Sequence, residues 1–526
     1  MDSFRFRRRG AAAILLLLAL RLPSLVQPPG GDQGLFAYEG QRLAAGDVLY
    51  RDMWDQKPPM IAFVYRGLLA LHDGGSIVPM ADLACAAIIS ALLVVIGRRR
   101  FTEGVGLGAA AAFLLLGDPY IQRLSGVYVR AQCEPFINVA VTTAIALLAS
   151  RRPTRGTLTG AGIAFGVAVW LKYNAVAYGL PIVTALWFWD LEDDRHTAKA
   201  LLAGLAWVVL GALAVTVPVL AYFAIHGELR DLYLATIQYN LGYSAETYRG
   251  PLSLVRYLVA FPLERARVDP LWFTGGLGVV LLAVRERSNR SGFVIFAWIL
   301  AAAISIAING SRDLPNYFVQ AFPALALAAS AGLASIAGAT VWLRATVAVV
   351  LALGLWRVGP DDPVFGLRWA GAPGFIENVR FDLDYARGAI ARDAYLQRFS
   401  ARKFNAYEID ALARFVEQTT TQDQPVLIFG FSGGGVGWAS HRVSPSRFFW
   451  SMPVKREFAA THPGYGSAAF LDDLRRRPPA IVALQHEEDW KSADYFLSHP
   501  QLRAWLETGY RLDHETPMFS VWRRVG

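Results

Sequence analysis

Two charged residues near the start of the chain are of the types needed for transfer of a phosphate-activated group. Asp32 opens a predicted helix that runs to Ala45, and Lys57 comes directly before two prolines. A carboxylate can accept the proton of an alcohol as a new bond forms, and a fixed ammonium group can stabilise a departing phosphate. Each residue also has a use without chemistry, because Asp32 can cap the helix and Lys57 can pair with lipid phosphates at a membrane surface. The residue types alone leave both uses open.

Three later stretches contain polar residues between apolar segments. Glu134 precedes Pro135 at the start of a predicted helix, where a carboxylate either interacts favourably with the helix dipole or orients an acceptor. Lys172 interrupts an apolar stretch, either as the cap of the preceding helix or as a functional charge at the membrane edge. Arg312 lies in a compact loop and can contact phosphate in a bidentate manner. The loop before Glu134 is also unusually polar and contains Arg123, Tyr128, Arg130 and Gln132.

The composition is that of a membrane protein. Of the 526 residues, 54% are hydrophobic and only 18% are charged, and the mean hydropathy is +0.33. The net charge of +9 comes from arginine clusters between apolar runs rather than from one basic stripe, which does not favour nucleic acid as a partner. The two cysteines, Cys85 and Cys133, form no metal-binding motif and no disulfide framework.

The apolar runs and the basic clusters together predict about eleven transmembrane helices. Lysine and arginine accumulate in cytoplasmic loops, so the chain should start inside, and the clusters at residues 98–100, 151–155, 195–199 and 285–290 should be cytoplasmic. A retained first helix ends near Gln27. The remaining spans fall near residues 78–97, 104–117, 136–150, 157–170, 175–189, 200–222, 269–284, 292–308, 317–334 and 341–357.

Two segments are expected outside the cytoplasm. Residues 28–77 form a long first loop, whose apolar run 60–71 is too short to cross and is predicted to be an interfacial helix. Residues 358–526 follow the transmembrane domain of residues 1–357 and contain strand-like runs at 426–429, 480–484 and 519–522, with a helical pattern over 407–418. They predict a small α/β domain. The glycine-rich string 432–437 lacks the rest of a phosphate-loop motif and is expected to be a flexible turn.

The polar motifs together resemble those of the GT-C glycosyltransferases of the protein O-mannosyltransferase type (family 39-like), to which the bacterial aminoarabinose lipid A transferase is related. The resemblance covers the organisation of residues 10–335. It rests on Asp32 with Gly34 in the first loop, Tyr50-Arg51-Asp52 leading to Lys57-Pro58-Pro59, Glu134-Pro135-Phe136, and Asn316-Tyr317-Phe318.

The resemblance implies an inverting transfer of a sugar from a polyprenyl-phosphate donor to a hydroxyl group of a cell-envelope glycolipid, glycan or protein. By position, Asp32 takes the role of catalytic base, and Lys57, Arg312 and Lys172 are candidate ligands of the donor phosphate. The residues assigned to orienting the acceptor or donor are Glu134, Arg130, Tyr317 and Glu39. Gln33 stands where family members often have Glu, so we predict no metal site and no cofactor.

Two other functional classes compete with a transferase. A lipid-linked sugar transporter would explain the helices, but the sequence has neither an internal repeat nor a matched pair of interrupted helices. A membrane scaffold would explain only the C-terminal domain. The sequence therefore favours a transferase with membrane lipids as partners, in a bacterial plasma (inner) membrane with the site on the extracytoplasmic side.

Overall fold

Most of the chain is helical, as its long apolar runs predict. The computed structural model describes residues 2–121, 126–150, 152–189, 197–285, 290–312, 314–357, 371–401, 404–487 and 489–525. The helices are α1 (Asp2–Ala19), α2 (Gly31–Ala44), α3 (Met60–Leu71), α4 (Ile77–Arg100), α5 (Glu103–Leu116), α6 (Cys133–Leu148), α7 (Arg155–Leu171), α8 (Gly179–Trp189), α9 (Ala198–Ile225), α10 (Leu229–Tyr233), α11 (Tyr239–Ala245), α12 (Pro251–Val268), α13 (Pro270–Arg285), α14 (Arg290–Ile308), α15 (Pro315–Phe318), α16 (Phe322–Ser335), α17 (Val341–Arg357), α18 (Gly371–Ala386), α19 (Arg392–Gln397), α20 (Ala406–Thr419), α21 (Gly433–Ala439), α22 (Met452–Lys455), α23 (Gly466–Arg476), α24 (Ser492–Ser498) and α25 (Pro500–Gly509). The strands are β1 (Ser400–Ala401), β2 (Phe404–Asn405), β3 (Val426–Phe429), β4 (Ile481–Gln485), β5 (Tyr510–Glu515) and β6 (Phe519–Arg524).

Several of these helices have the length and composition of membrane spans. Within the described ranges, 5 helical segments are long and apolar enough to cross a membrane, or 7 if each of two bent pairs is one span. The chain is therefore a multi-pass membrane protein. Each predicted span overlaps a helix, whereas the count of eleven crossings and the placement of the outer loops stay predictions. Among the predicted loop residues, Arg123, Arg151, Arg195 and Arg287 lie outside the described residues.

The chain divides into two compact units that are not continuous in sequence. The first unit contains residues 1–25, 79–221 and 243–383, and the second contains residues 26–78, 222–242 and 384–526. The boundary that the sequence predicts, between residues 357 and 358, borders the segment 358–370, which lies outside the described residues.

In the first unit, small residues allow helices to pack with their backbones close together. A Cβ atom built on Gly278 of α13 would lie 2.2 Å from the carbonyl oxygen of Ala328 in α16. One built on Gly162 of α7 would lie 2.0 Å from the carbonyl oxygen of Val208 in α9. Such contacts between small residues are typical of helix packing in membranes, where apolar side chains gain little by leaving lipid.

The C-terminal part of the second unit contains a four-stranded sheet with the strand order β3-β4-β6-β5. β3 and β4 run parallel, with Val426 paired with Ile481, and β6 runs antiparallel to β4 and β5. Apolar side chains of the sheet pack against α20 and α21 in a buried core that includes Leu412, Val416, Ile428, Val436, Ile481 and Phe519. The predicted small C-terminal sheet is confirmed. The expectation of a flexible turn at residues 432–437 is wrong, because most of that string forms α21.

Candidate functional site

Asp32 lies in the first turn of α2, in the second unit. The N-cap position belongs to Gly30, and no side chain caps this helix end. The alternative in which Asp32 serves as the N-cap is therefore wrong. Its carboxylate is partly exposed, so it is available to a ligand while lying at the positive end of the helix dipole.

One face of α2 carries Asp32, Phe36 and Glu39. Their spacing of four and then three residues places them in one row along the helix. The Nζ atom of Lys57 lies 5.5 Å from the centre of the Phe36 ring, within the range of a cation–π interaction. Glu39 is 1% exposed, and its carboxylate interacts electrostatically with Lys57 and Asp55. The structure thus brings together Asp32, Glu39 and Lys57 along one helix face.

Side chains of the same unit donate hydrogen bonds to main-chain carbonyl groups of the segment that ends at Lys57. The Tyr50 hydroxyl donates to the carbonyl of Lys57 at 2.8 Å. The Asn240 amide donates to the carbonyl of Gln56 at 2.7 Å, and the Trp450 indole donates to the carbonyl of Trp54 at 3.2 Å. Because these contacts fix the backbone before the two prolines, the lysine side chain extends from a defined position.

Asp55 is a member of this cluster that the sequence analysis missed. It is 2% exposed, and its carboxylate accepts a hydrogen bond from the N–H of Gln56 at 2.7 Å. Burial raises the pKa of Asp55 above its ordinary value, and the charge of Asp32 adds to the rise, while Lys57 and nearby N–H groups lower it by less. The sequence feature that could have identified Asp55 is its place two positions before Lys57, in a loop whose backbone is fixed by the two following prolines.

In the first unit, Glu134 and Lys172 form a buried ion pair. The Nζ atom of Lys172 lies 2.5 Å from Oε1 of Glu134, and the two side chains are 9% and 0% exposed. The Asn316 amide donates to Oε2 of Glu134 at 3.2 Å. The Lys172 ammonium also lies 4.5 Å from the centre of the Tyr317 ring. Three of the predicted residues, Glu134, Lys172 and Tyr317, therefore meet in one cluster, and Lys172 occupies the C-cap position of α7 with its backbone N–H bonded to the carbonyl of Ala168.

Arg130 and Arg312 make separate contacts in the first unit. Nη1 of Arg130 lies 3.0 Å from Oδ2 of Asp82, and both side chains are buried. Nη2 of Arg312 lies 3.3 Å from Oε2 of Glu246, and the guanidinium group stacks 3.7 Å from the centre of the Tyr243 ring. The Arg312 side chain keeps 24% of its surface exposed. The predicted roles of both arginines stay predictions.

No metal centre is apparent in the described part of the chain, where no group of three or more His, Cys, Asp or Glu side chains is placed to hold an ion. Glu39 and Asp55 are buried carboxyl groups that interact with Lys57. The predicted absence of a cofactor stays a prediction.

Comparison with a family model gives a match over part of the chain. Residues 56–222 match the dolichyl-phosphate-mannose-protein mannosyltransferase family. This segment begins one residue before Lys57 and includes Glu134 and Lys172. No curated protein sequence matches the chain.

Solved structures resemble the whole chain. ArnT from Cupriavidus metallidurans bound to undecaprenyl phosphate is 16% identical, with a TM-score of 0.62 over 99% of this chain and 98% of that chain. The apo state of the same protein gives a TM-score of 0.61 over 100% and 99% of the two chains. The archaeal oligosaccharyltransferase AglB from Archaeoglobus fulgidus is 14% identical, with a TM-score of 0.48 over 99% of this chain and 74% of that chain.

These findings confirm the resemblance that the sequence motifs predicted. The family model covers the KPP segment and the helices that follow it, and the likeness to ArnT covers the whole chain and shows the fold. Residues 56–222 thus resemble the protein mannosyltransferase family, and the chain as a whole has the fold of ArnT.

Proposed function

We propose that this protein is an inverting glycosyltransferase that moves a sugar from a polyprenyl-phosphate donor to a hydroxyl group. The observation that carries the proposal is the row of Asp32, Phe36 and Glu39 on α2, with the Lys57 ammonium above Phe36. A carboxylate and a fixed cation on one helix face suit a reaction that removes a proton at one atom and leaves negative charge at another. The fold of ArnT, whose solved structure contains undecaprenyl phosphate, supports a polyprenyl-phosphate donor.

In the proposed reaction, the acceptor hydroxyl oxygen attacks the anomeric carbon of the donor sugar. The bond between that carbon and the phosphate oxygen breaks, and polyprenyl phosphate leaves with the electron pair. Asp32 takes the hydroxyl proton as the new bond forms. Because the attack comes from the side opposite the leaving group, the anomeric configuration inverts.

Lys57 is proposed to contact the leaving phosphate. Negative charge on that phosphate grows as the bond breaks, so a fixed ammonium group stabilises the transition state more than the ground state. Arg312, which keeps part of its guanidinium surface exposed, is proposed as a second phosphate contact. Glu39 and Asp55 are buried and interact electrostatically with Lys57, and we propose that their carboxyl groups hold its ammonium in place and orient the sugar.

The proposed acceptor is a cell-envelope glycolipid, glycan or protein on the extracytoplasmic face of a bacterial inner membrane. Support for this side of the membrane comes from the arginine clusters, which lie in loops that are cytoplasmic when the predicted spans are counted from a cytoplasmic start of the chain. A hydroxyl acceptor suits a single carboxylate base, because the proton needs to move only as the glycosidic bond forms.

The test uses purified protein in lipid nanodiscs with radiolabelled polyprenyl-phosphate sugars and total membrane glycolipid. Label transfer and release of polyprenyl phosphate are measured for the wild type, for Asp32→Asn and for Asp73→Asn. Asp73 is an exposed carboxylate of the same predicted loop and serves as the matched control. Loss of a general base is expected to lower turnover about 10²- to 10⁴-fold while donor binding persists.

Full turnover by Asp32→Asn, or no consumption of any donor in the panel, would refute the proposed function. Transfer that is lost only in Asp32→Asn and kept in Asp73→Asn would support it. Repeating the assay with a chelator tests the predicted independence of metal ions, because a metal-dependent transfer would stop.

A further inference from the structure

The glycine-rich string of the C-terminal domain packs directly against the helix that carries Asp32. Both elements belong to the second unit, although about four hundred residues separate them in sequence. α21 contains Gly433, Gly434 and Gly435, and its backbone at Gly434 and Gly435 lies against the backbone of α2. This contact gives these two glycines a packing role that needs no bound phosphate.

The closeness of the two helices depends on two glycines. A Cβ atom built on Gly34 of α2 would lie 2.7 Å from the Cα atom of Gly435. One built on Gly434 would lie 2.7 Å from the Cα atom of Leu35 and 2.8 Å from its Cδ2 atom. Real Cβ atoms essentially never approach other heavy atoms this closely, so any side chain at either position must push the helices apart.

Polar and aromatic contacts extend the same interface along α2. The Tyr38 hydroxyl accepts a hydrogen bond from the N–H of Ser444 at 2.9 Å, and its ring lies 4.7 Å from that of Phe449. The Gln41 amide lies 2.8 Å from Nδ1 of His441. Gly34, Tyr38 and Gln41 are therefore among the α2 residues that meet the domain, together with Leu35.

Gly34, Tyr38 and Gln41 lie on the face of α2 opposite the proposed site. At about 100° per residue, Gly34, Tyr38 and Gln41 form one row, and Asp32, Phe36 and Glu39 form a second row whose centre lies about 160° away around the helix. The C-terminal domain thus holds the back of the helix, while the front carries the carboxylate. A shift of α2 at the back moves Asp32 by a similar amount.

We propose that the C-terminal α/β domain positions Asp32 for catalysis through the contact of α21 with α2, and that Gly34 and Gly434 are positioning residues. The inference rests on the proposed function, in which Asp32 is the base. Misplacement of a reacting group by about 1 Å can lower a rate about 10²-fold. The domain then does more than stabilise the fold, because it sets the distance between the base and the acceptor.

The test compares three glycine-to-alanine substitutions in the full-length protein in nanodiscs. Gly34→Ala and Gly434→Ala each introduce the close contact. Gly435→Ala is the matched control, because its Cβ atom would meet only ordinary contacts at 3.8 Å. All three positions are helical, so alanine has a similar intrinsic effect on the helix in each.

The measurements are the number of donor molecules bound per protein, the affinity for donor and the turnover per bound donor. We expect Gly34→Ala and Gly434→Ala to lower turnover per bound donor about 10- to 100-fold, with donor affinity and stoichiometry kept. Gly435→Ala is expected to keep wild-type turnover. A merely structural contact would instead lower the number of binding sites, and turnover per bound donor would not change.

Tyr38→Phe is a milder variant in case the alanine variants fail to fold. It removes the hydroxyl that accepts from Ser444 and is expected to lower turnover per bound donor a few-fold. Unchanged turnover per bound donor in every folded variant overturns the positioning role. Asp32→Asn in the same assay separates the two proposals. If Asp32→Asn is inactive while the Gly34 and Gly434 variants are fully active, only the positioning inference fails. If Asp32→Asn is fully active, the proposed function itself fails.

Discussion

Lys57 and Lys172 are both lysines beside carboxylates in an apolar chain, yet their surroundings differ. Lys57 is partly exposed and lies above an aromatic ring, near the partly exposed Asp32 and the buried Glu39 and Asp55. Lys172 is buried and forms a close ion pair with Glu134. A buried cation whose charge is already matched by one carboxylate has less to offer a ligand than a partly exposed cation. The difference suggests chemistry at Lys57 and helix packing at Lys172.

The largest expected effect is on turnover after replacement of each lysine by methionine. Lys57→Met removes the cation proposed to stabilise the leaving phosphate, so turnover is expected to fall about 10²- to 10³-fold with little change in thermal stability. Lys172→Met is expected to lower turnover per folded molecule less than about 10-fold, because its charge is engaged by Glu134. Label transfer and thermal unfolding of both variants test the contrast. A loss at Lys172→Met as large as that at Lys57→Met would instead support the predicted phosphate role of Lys172.

The next effect concerns stability. Removing one partner of a buried ion pair leaves an uncompensated charge, so Lys172→Met and Glu134→Gln are each expected to cost about 3–5 kcal/mol. The double variant should be more stable than the sum of the two single losses predicts, because it leaves no buried charge. Unfolding of the four proteins in detergent completes the double-mutant cycle. Additive losses would mean that the two side chains do not interact strongly.

The smallest effect is on the pH dependence of stability near Lys57. The pKa of Asp55 is raised in the folded protein, so between its ordinary value and the raised value the folded state holds a proton that the unfolded state has lost. The free energy of unfolding therefore falls as the pH rises through this range, by about 1.4 kcal/mol for each pKa unit of difference. Burial also raises the pKa of Glu39, so Asp55→Asn is expected to remove only the part of this dependence that comes from Asp55.

Thermal unfolding of the wild type and Asp55→Asn between pH 4 and pH 7 measures the effect. The variant should gain stability relative to the wild type as the pH rises, since it avoids the cost of a buried charge. Parallel curves for the two proteins would show that the Asp55 carboxyl does not titrate differently in the folded and unfolded states.

Much of the local structure follows from the residue pattern. The strand-like run at 426–429 and the helical pattern at 407–418 correspond to β3 and α20 within one or two residues, because alternating or 3.6-residue apolar periods are local signals. β5 was not predicted because Tyr510–Glu515 is rich in polar residues and forms the edge of the described sheet, next to β6.

The candidate site was predictable only in part. Asp32 and Lys57 stand out by residue type, by the prolines that follow Lys57 and by resemblance to a family. Asp55 did not stand out, because its burial and its interaction with Lys57 and Asp32 arise only when the loop folds against α2. For the same reason, no local pattern could show that Lys172 is paired with Glu134, since the two residues lie on different helices.

The sequence by itself determined that the chain is an apolar helical membrane protein with a small C-terminal α/β domain, since hydrophobic period and length act within short stretches of chain. Only the tertiary structure decided what the polar and glycine residues do. Gly34 and Gly434 each allow the close approach of the helix that carries the other glycine. Lys57 and Lys172 each interact with carboxyl groups that the fold brings beside them. Packing and electrostatics act between residues that are close in space, and closeness in space is a property of the fold rather than of any segment.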